Sequence, residues 1–342
     1  MHKVVVHINS TLHHFSQLLA GLEFLNSKNE IRLKYKLDLG RYPENIFLVE
    51  VNGAKVFFDL ADSSDIKPVV YEEADLYAKR MLLKSDFQRS EKLIPYGLYY
   101  PVYFRSPSLK YLFLKDLSFF KYSLKYWKSV AALLDLKDGI SVNELEYMES
   151  DPAEGKQIIF RSRLWDEGLN HPQWKREKRK ILNDERIQIN RLLKEKFGQN
   201  FTGGFRRDEF SQKKCPDLSL PMKDFHRKIY LQNMRISTIG IATPGLESSV
   251  GAKVGEYVAN GLAILTTPVD QYEIPGFEEG KNYLTYKNPE ECVELASELV
   301  KNEDLRKKLQ KINMEYYTRH LHPGKKVTGI LDQVSNKIST CS

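Results

Sequence analysis

The sequence predicts an α/β chain of two domains, the second built on a parallel sheet. Three observations carry this reading. The chain has 342 residues, and a single hydrophobic core rarely grows beyond about 250–300. A short β-branched run near the N-terminus leads into helically spaced apolar residues. From residue 157 onward, strand, helix and strand patterns alternate. The boundary is expected between about Asp135 and Lys156, where Lys137-Asp138-Gly139, Ser150-Asp151-Pro152 and Glu154-Gly155 supply breakers without a periodic run. Residues 1–145 then form the first domain and 146–322 the second, with 323–342 a segment expected to pack back on the first.

In the first domain, Val4 to Ile8 read as a buried strand, and Leu12, Phe15, Leu18, Leu19, Leu22 and Leu25 as one face of the following helix. Asn9 and Ser10 stand where an N-cap is wanted. Ile31, Leu33, Tyr35, Leu37 and Leu39 alternate with polar residues, the pattern of a strand with one wet face, and Asn52-Gly53 signals a two-residue hairpin. An antiparallel section is therefore expected here. Pro68 to Tyr71 and Leu93 to Leu98 are read as further strands, and Glu72, Glu73, Asp75, Lys79 and Arg80 as a solvated helix face.

The second series opens with the strand Gln157 to Phe160, followed by a helix over Asp184 to Phe197 and a strand entering Gly203-Gly204. A short helix over His226 to Met234, a strand over Ile236 to Ala242, a helix over Ala252 to Asn260 and a strand at Ala263 to Leu265 continue it. Parallel strands of this kind bind ligands at their carboxyl ends. Asn288-Pro289-Glu290-Glu291 is a complete helix start, with a cap, a proline in the first turn and acids at the positive end of the dipole.

Composition narrows the classes. No apolar run reaches the roughly 20 residues needed to span a bilayer, and the N-terminus lacks a signal-peptide core, so a cytoplasmic protein is expected. Cys215, Cys292 and Cys341 have no spacing that suggests a disulfide framework or a zinc site. The net charge of +7 is concentrated in Lys175 to Lys180 and between Tyr103 and Lys128, where lysines interleave with aromatic residues. Each run is either a solvated face or, for the aromatic one, a surface in peripheral contact with a membrane. The basic residues do not fall on a nucleic-acid recognition module, so no nucleic acid is expected as a partner. Asp59-Leu60-Ala61-Asp62 has the wrong spacing for a D-x-D metal motif, and no metal or other cofactor is expected.

The chemistry concentrates between Thr243 and Pro268. The strand ending at Ala242 runs into a loop of small residues, Gly245, Ser248, Ser249 and Gly251, and then into a helix. Orphan N–H groups and the dipole at that helix start suit a diphosphate, Lys253 adds positive charge, and Glu256 can accept from ribose hydroxyls. A tight connection and a solvated glutamate are the plainer alternatives. Arg163, and second to it Arg161, follow the strand at Gln157 and can pair bidentately with phosphate, or are an ordinary surface pair. Gly203 and Gly204 either admit a base or ribose or make a turn.

Gly245-Leu246-Glu247-Ser248-Ser249 and Lys253 to Pro268 resemble the C-terminal domain of GT-B glycosyltransferases, particularly the retaining group 1 enzymes and more loosely the exostosin-like enzymes. The resemblance spans roughly Gln157 to His322. It implies two Rossmann-like domains facing a cleft, a nucleotide-sugar donor, and a ribose-binding role for Glu256. In group 1 enzymes the first glutamate of the pair lies one residue closer to the second than Glu247 lies to Glu256, so Glu247 as a catalytic acid, and retention or inversion, stay open. The loop holding His13 and His14 corresponds to the acceptor side, where a histidine can serve as base, or is a plain surface residue. The implied reaction is sugar transfer to a hydroxyl of a surface glycan or lipid-linked saccharide. A nucleotide-sugar 2-epimerase-like isomerase, or a binding protein without chemistry, shares the same architecture.

Overall fold

The computed structural model describes residues 1–102, 117–125, 151–168 and 170–340. Two units form: one from Met1–Met148, Gln271–Gly276 and Thr318–Ser342, the other from Glu149–Asp270 and Phe277–Tyr317.

In the first unit, strands β1 (His2–Ile8), β2 (Ile31–Leu37), β3 (Ile46–Val51), β4 (Ala54–Asp59), β5 (Leu76–Lys79) and β6 (Leu93–Pro95) lie in the order β2-β1-β3-β4-β5-β6. Only β3 runs against its neighbours. The expected antiparallel section is thus a single reversal, made by the β3–β4 hairpin. Asn52 and Gly53 both have positive φ, 52° and 97°, as a primed two-residue turn requires. The alternating β2 is a parallel edge strand, with Arg32, Lys34 and Lys36 exposed.

Three expectations are corrected in this unit. Pro68 to Tyr71 belongs to helix α2 (Pro68–Glu73), preceded by α1 (Ser16–Ser27). Proline in the first turn favours a helix start, and a four-residue apolar run has too few positions to reveal its period. Asn9 does not cap α1, because a 3₁₀ turn at His13–Phe15 intervenes. Its amide instead donates to the carbonyls of Tyr42 and Pro43 at 2.7 and 3.0 Å and accepts from the Tyr42 N–H at 2.9 Å, pinning the approach to β3.

The third correction is Lys79, which lies at the end of β5 rather than on a solvated face and has no exposed surface. Its ammonium sits 3.0 Å from the equally buried Asp59 carboxylate and donates to the Ser63 carbonyl at 2.6 Å. The Tyr77 hydroxyl donates to the same carboxylate at 2.6 Å, and the Ala61 N–H reaches its other oxygen. Burial pulls the Lys79 pKa down against the opposing pull of Asp59. With these further hydrogen bonds, the pair can stay charged out of water.

Helices α3 (Lys84–Phe87) and α4 (Leu117–Lys125) complete the described N-terminal part. In α4, Phe119 and Tyr122 are buried and the Tyr122 hydroxyl donates to the Ser10 carbonyl at 2.8 Å, while Leu117, Lys121, Leu124 and Lys125 are exposed. Part of the aromatic complement of the Tyr103–Lys128 run therefore faces the core; Lys110, Lys115, Tyr126, Trp127 and Lys128 lie outside the described residues.

The C-terminal helix, Pro323–Thr340, packs along α1. A Cβ at Gly21 of α1 would stand 2.4 Å from the Pro323 carbonyl oxygen, so only glycine permits this approach. Lys326 of the C-terminal helix is held by the carbonyls of Tyr96 and Leu98 at 2.6 and 2.7 Å.

The second unit contains β7 (Ile158–Ser162), α5 (Gln173–Phe197), β8 (Phe201–Arg206), α6 (Glu209–Lys214), β9 (Ser219–Leu220), α7 (Arg227–Arg235) and β10 (Ile239–Ile241). It continues with α8 (Ala252–Ala259), β11 (Ala263–Thr266), β12 (Tyr283–Thr285), α9 (Pro289–Lys301) and α10 (Glu303–Tyr316). The sheet is wholly parallel, in the order β12-β11-β10-β7-β8-β9. Its core gathers Ile158, Phe160, Ile239, Ile241 and Leu265 with Cys292 and Leu299 of α9. Asn288 caps α9 by accepting from the Glu291 N–H at 2.9 Å, as its sequence predicts.

Two spans differ from expectation. Helix α5 starts at Gln173, well before Asp184: the buried face of this first part consists of Arg179, Leu182 and Asn183, which show no apolar period. Strand β10 is short, since Arg235 still closes α7 and Ile236 is exposed.

The Asp59–Lys79 pair yields a prediction. Asp59→Ala should lower stability by about 3–5 kcal/mol, because it strands a buried ammonium. Combined replacement by Leu and Met should recover most of that loss. Urea unfolding, followed through exchange of the β3–β5 amides, distinguishes the two.

Candidate functional site

Strand order reverses between β7 and β10: the chain runs outward through β8 and β9 on one side and through β11 and β12 on the other. A crevice opens at the carboxyl ends of strands that diverge in this way, and ligands bind there. The residues that follow β7 and β10 border this crevice.

Arg161, still within β7, is buried and donates to the Asp224 carbonyl, with its guanidinium 5.9 Å from the Phe225 ring centre. Burial lowers its pKa. Arg163 lies beyond the strand end, is exposed, and stacks its guanidinium 4.0 Å above the Trp165 ring. The two arginines thus part, one inward against its own unit and one at the rim.

Arg186 of α5 joins the two strand ends. Its Nε donates to Thr243 Oγ1, its Nη1 to the Arg163 carbonyl and its Nη2 to the Pro244 carbonyl, each at 2.9 Å. It is buried, and desolvation brings its pKa down to about 10. The loop after β10 is closed by Gly245 N–H to the Ser249 carbonyl at 2.9 Å and Ser248 N–H to the Gly245 carbonyl at 3.1 Å. Ser248 takes φ 59°, a left-handed conformation uncommon for serine. Glu247 is exposed on this loop. Gly251 is the N-cap of α8 and brings no capping side chain.

Lys253 and Glu256 stand three residues apart on α8 and so share a face. The Glu256 carboxylate is 4% exposed. One of its oxygens is paired with the Arg227 guanidinium and the other accepts from the Tyr230 hydroxyl at 3.2 Å. Burial and the Glu256 charge hold the Tyr230 pKa well above its ordinary value. Lys253 is partly exposed as a residue, yet its ammonium has its pKa lowered to about 8, first by desolvation. Glu256 opposes that shift, and Arg186, Arg227 and Arg163 add to it. Four cations are thereby set against Glu256, with Glu185 partly offsetting the charge of Arg186.

Among the sequence-derived candidates, the structure brings Arg163, Lys253 and Glu256 together, with Gly245, Ser248 and Ser249 in the adjoining loop. Gly203 and Gly204 lie on β8. The close approach that they permit is taken up by Asn190, Phe201 and Leu218, and Asn190 accepts from the Gly204 N–H at 2.7 Å. His13 and His14 belong to the other unit, in its 3₁₀ turn, where His14 is half-buried. Among the described residues there is no cluster of three or more His, Cys, Asp or Glu side chains suited to a metal.

Sequence reasoning missed Arg186, Arg227 and Tyr230. Arg186 carried a usable signal: four residues after Leu182 and seven before Leu193, it sits on the apolar stripe of α5, where an arginine must be buried and bonded. Arg227 and Tyr230 are three apart on a short helix, a spacing that says they share a face but not what they face.

Residues 226–330, which hold Arg227, Tyr230, Lys253 and Glu256, match the family model described as glycosyl transferase-like. Solved structures similar to the chain include Anabaena HepE in complex with UDP, at 8% identity over 98% of this chain and 99% of that one, TM-score 0.46. A protein from Listeria monocytogenes described as a UDP-N-acetylglucosamine 2-epimerase is 12% identical over 99% and 97% of the two chains, TM-score 0.43. The C-terminal domain of the group 1 glycosyltransferase LpcC from Francisella tularensis is 13% identical over 49% and 86%, TM-score 0.32. No curated protein matches the chain.

Arg186 is expected to fix the loop geometry at the ends of β7 and β10. Arg186→Met should cost about 2–4 kcal/mol, since the bonds lost are charge-assisted and partly buried. A lowered thermal midpoint, with faster proteolysis near Pro244, is the expected result.

Proposed function

We propose that the enzyme transfers a sugar from a nucleotide-sugar donor to a hydroxyl of a surface glycan or lipid-linked saccharide. The observation that carries this reading is the excess of positive charge around Lys253 beside the buried Glu256, in the segment that matches the glycosyltransferase family. Arg163, Lys253 and the start of α8 receive the donor diphosphate, because a doubly charged anion offsets the mutual repulsion of the cations. Glu256 accepts from the ribose hydroxyls with lone pairs that Arg227 and Tyr230 leave available. As the glycosidic bond breaks, negative charge grows on the departing nucleoside diphosphate, and the same cations stabilise it there.

On the acceptor side, His13 or His14 takes the proton of the attacking hydroxyl. Glu247, exposed on the β10–α8 loop, is the candidate carboxylate near the donor sugar. We place the reaction in the cytoplasm, with the exposed Lys121, Leu124 and Lys125 of α4 as a peripheral membrane contact that serves a lipid-linked acceptor. Among the described residues no helix is long and apolar enough to cross a membrane.

A thermal-shift screen over nucleoside diphosphates and their sugars tests the donor assignment, since a ligand of the folded state raises its midpoint. One base and one sugar should stand out, and no shift by any member of the panel refutes the reading. Turnover of that donor without acceptor, to an isomeric nucleotide sugar, would identify an isomerase instead. Glu256→Gln should weaken binding of the matching nucleoside by roughly tenfold through loss of a charged acceptor.

The pH dependence follows from Lys253. The amine is protonated below about 8 in the free protein, and a bound anion raises its pKa further. Diphosphate affinity should therefore be level below that pH and fall as pH rises through it, by up to about tenfold per pH unit. Lys253→Arg should flatten the profile across that window, as calorimetry at several pH values would report.

A further inference from the structure

Glu256 already holds a cation, which is unexpected for a residue that is to grip a neutral diol. A carboxylate that is 4% exposed and paired with a guanidinium already has its charge neutralised, and such a pair in a desolvated place is a poorer acceptor than a free carboxylate. Arg227 has the means to leave. It sits in the first turn of α7, where the helix dipole disfavours a cation. It is 17% exposed at the side chain against 5% for its partner, and it lies close enough to Lys253 to depress that ammonium, which places it beside the remaining cations. Tyr230, by contrast, is buried on the same helix face and bonds the other carboxylate oxygen, so Glu256 keeps one fixed partner when the other moves.

We infer that Arg227 is an exchangeable counter-ion: it pairs with Glu256 in the empty site and passes to the donor diphosphate on binding, releasing the carboxylate, still oriented by Tyr230, to the ribose. This rests on the nucleotide-sugar reading of the site. Ribose recognition then becomes conditional on the diphosphate. A nucleoside alone must compete with Arg227 for Glu256, whereas a nucleoside diphosphate draws the arginine away and gains both interactions. The device selects the diphosphate form over the nucleoside and, to a lesser degree, over the monophosphate. No covalent step is involved. Arg227 and Tyr230 act as positioning residues through Glu256.

The test compares calorimetric affinities of the full-length protein for a nucleoside and its diphosphate, using the base that the thermal-shift screen selects. In Arg227→Ala, diphosphate affinity should fall by roughly tenfold or more through loss of a charged hydrogen bond, while nucleoside affinity holds or rises. Arg227→Lys, which retains the charge, should restore part of the diphosphate affinity and guards against misfolding of the alanine variant. Tyr230→Phe should weaken both ligands by similar factors. Equal losses for nucleoside and diphosphate in both Arg227 variants would overturn the exchange and leave Arg227 a fixed support of Glu256. Failure of the unaltered protein to bind any nucleotide would instead refute the underlying assignment of the site.

Discussion

The guanidinium of Arg186 ties the ends of β7 and β10, and the geometry of the candidate site depends on that tie. The two strands pair only through Ile158 with Ile239 and Ile159 with Gly240, so beyond that short ladder the residues that follow them need another tie. Three planar donors from one side chain supply it, reaching Thr243, Pro244 and the Arg163 carbonyl. The rigid fork of arginine suits this use better than the flexible stem of lysine. Even lowered to about 10, its pKa leaves the group charged at neutral pH, so the same side chain that shapes the loops also adds to their positive field.

The two units treat buried charge differently. In the first, Lys79 and Asp59 cancel, Tyr77 and Ala61 donate to the carboxylate, and the Ser63 carbonyl accepts from the ammonium. In the second, Arg163, Arg186, Lys253 and Arg227 are set against Glu256 and, beside Arg186, Glu185, and the depressed pKa of Lys253 reports the excess of cations. Folding tolerates such an excess because part of it stays in contact with solvent, as the exposure of Arg163 shows. A bound anion would remove the repulsion that the empty site retains.

The parallel character of the second sheet was legible because β7, β10 and β11 are short apolar runs bounded by helical periods or glycine, whereas β9 and β12, of two and three residues, left no pattern; Glu256 was legible through its place in a recognisable strand, loop and helix. Helix α5 was half hidden, since Asn183, Arg186 and Asn190 on its inner face read as surface residues until their partners are known. The same blindness covered Lys79, whose carboxylate lies 20 residues back on the adjoining strand. Pattern reading detects the face of an element. It cannot pair two polar residues across elements, and the candidate site consists of such pairs: Arg227 with Glu256, Tyr230 with Glu256, Arg186 with Thr243.

The C-terminal helix returns to α1, where Gly21 lets it approach and Lys326 closes on the carbonyls of Tyr96 and Leu98. The first unit is thus assembled from both ends of the described chain, with the second unit's sequence lying between them. During synthesis the ribosome delivers β1 to β6 long before the helix that covers α1. The exposed surface of α1 must wait, and the second unit, nearly contiguous in sequence, is free to fold first. The vectorial order of translation therefore runs opposite to the order in which the two units can be completed.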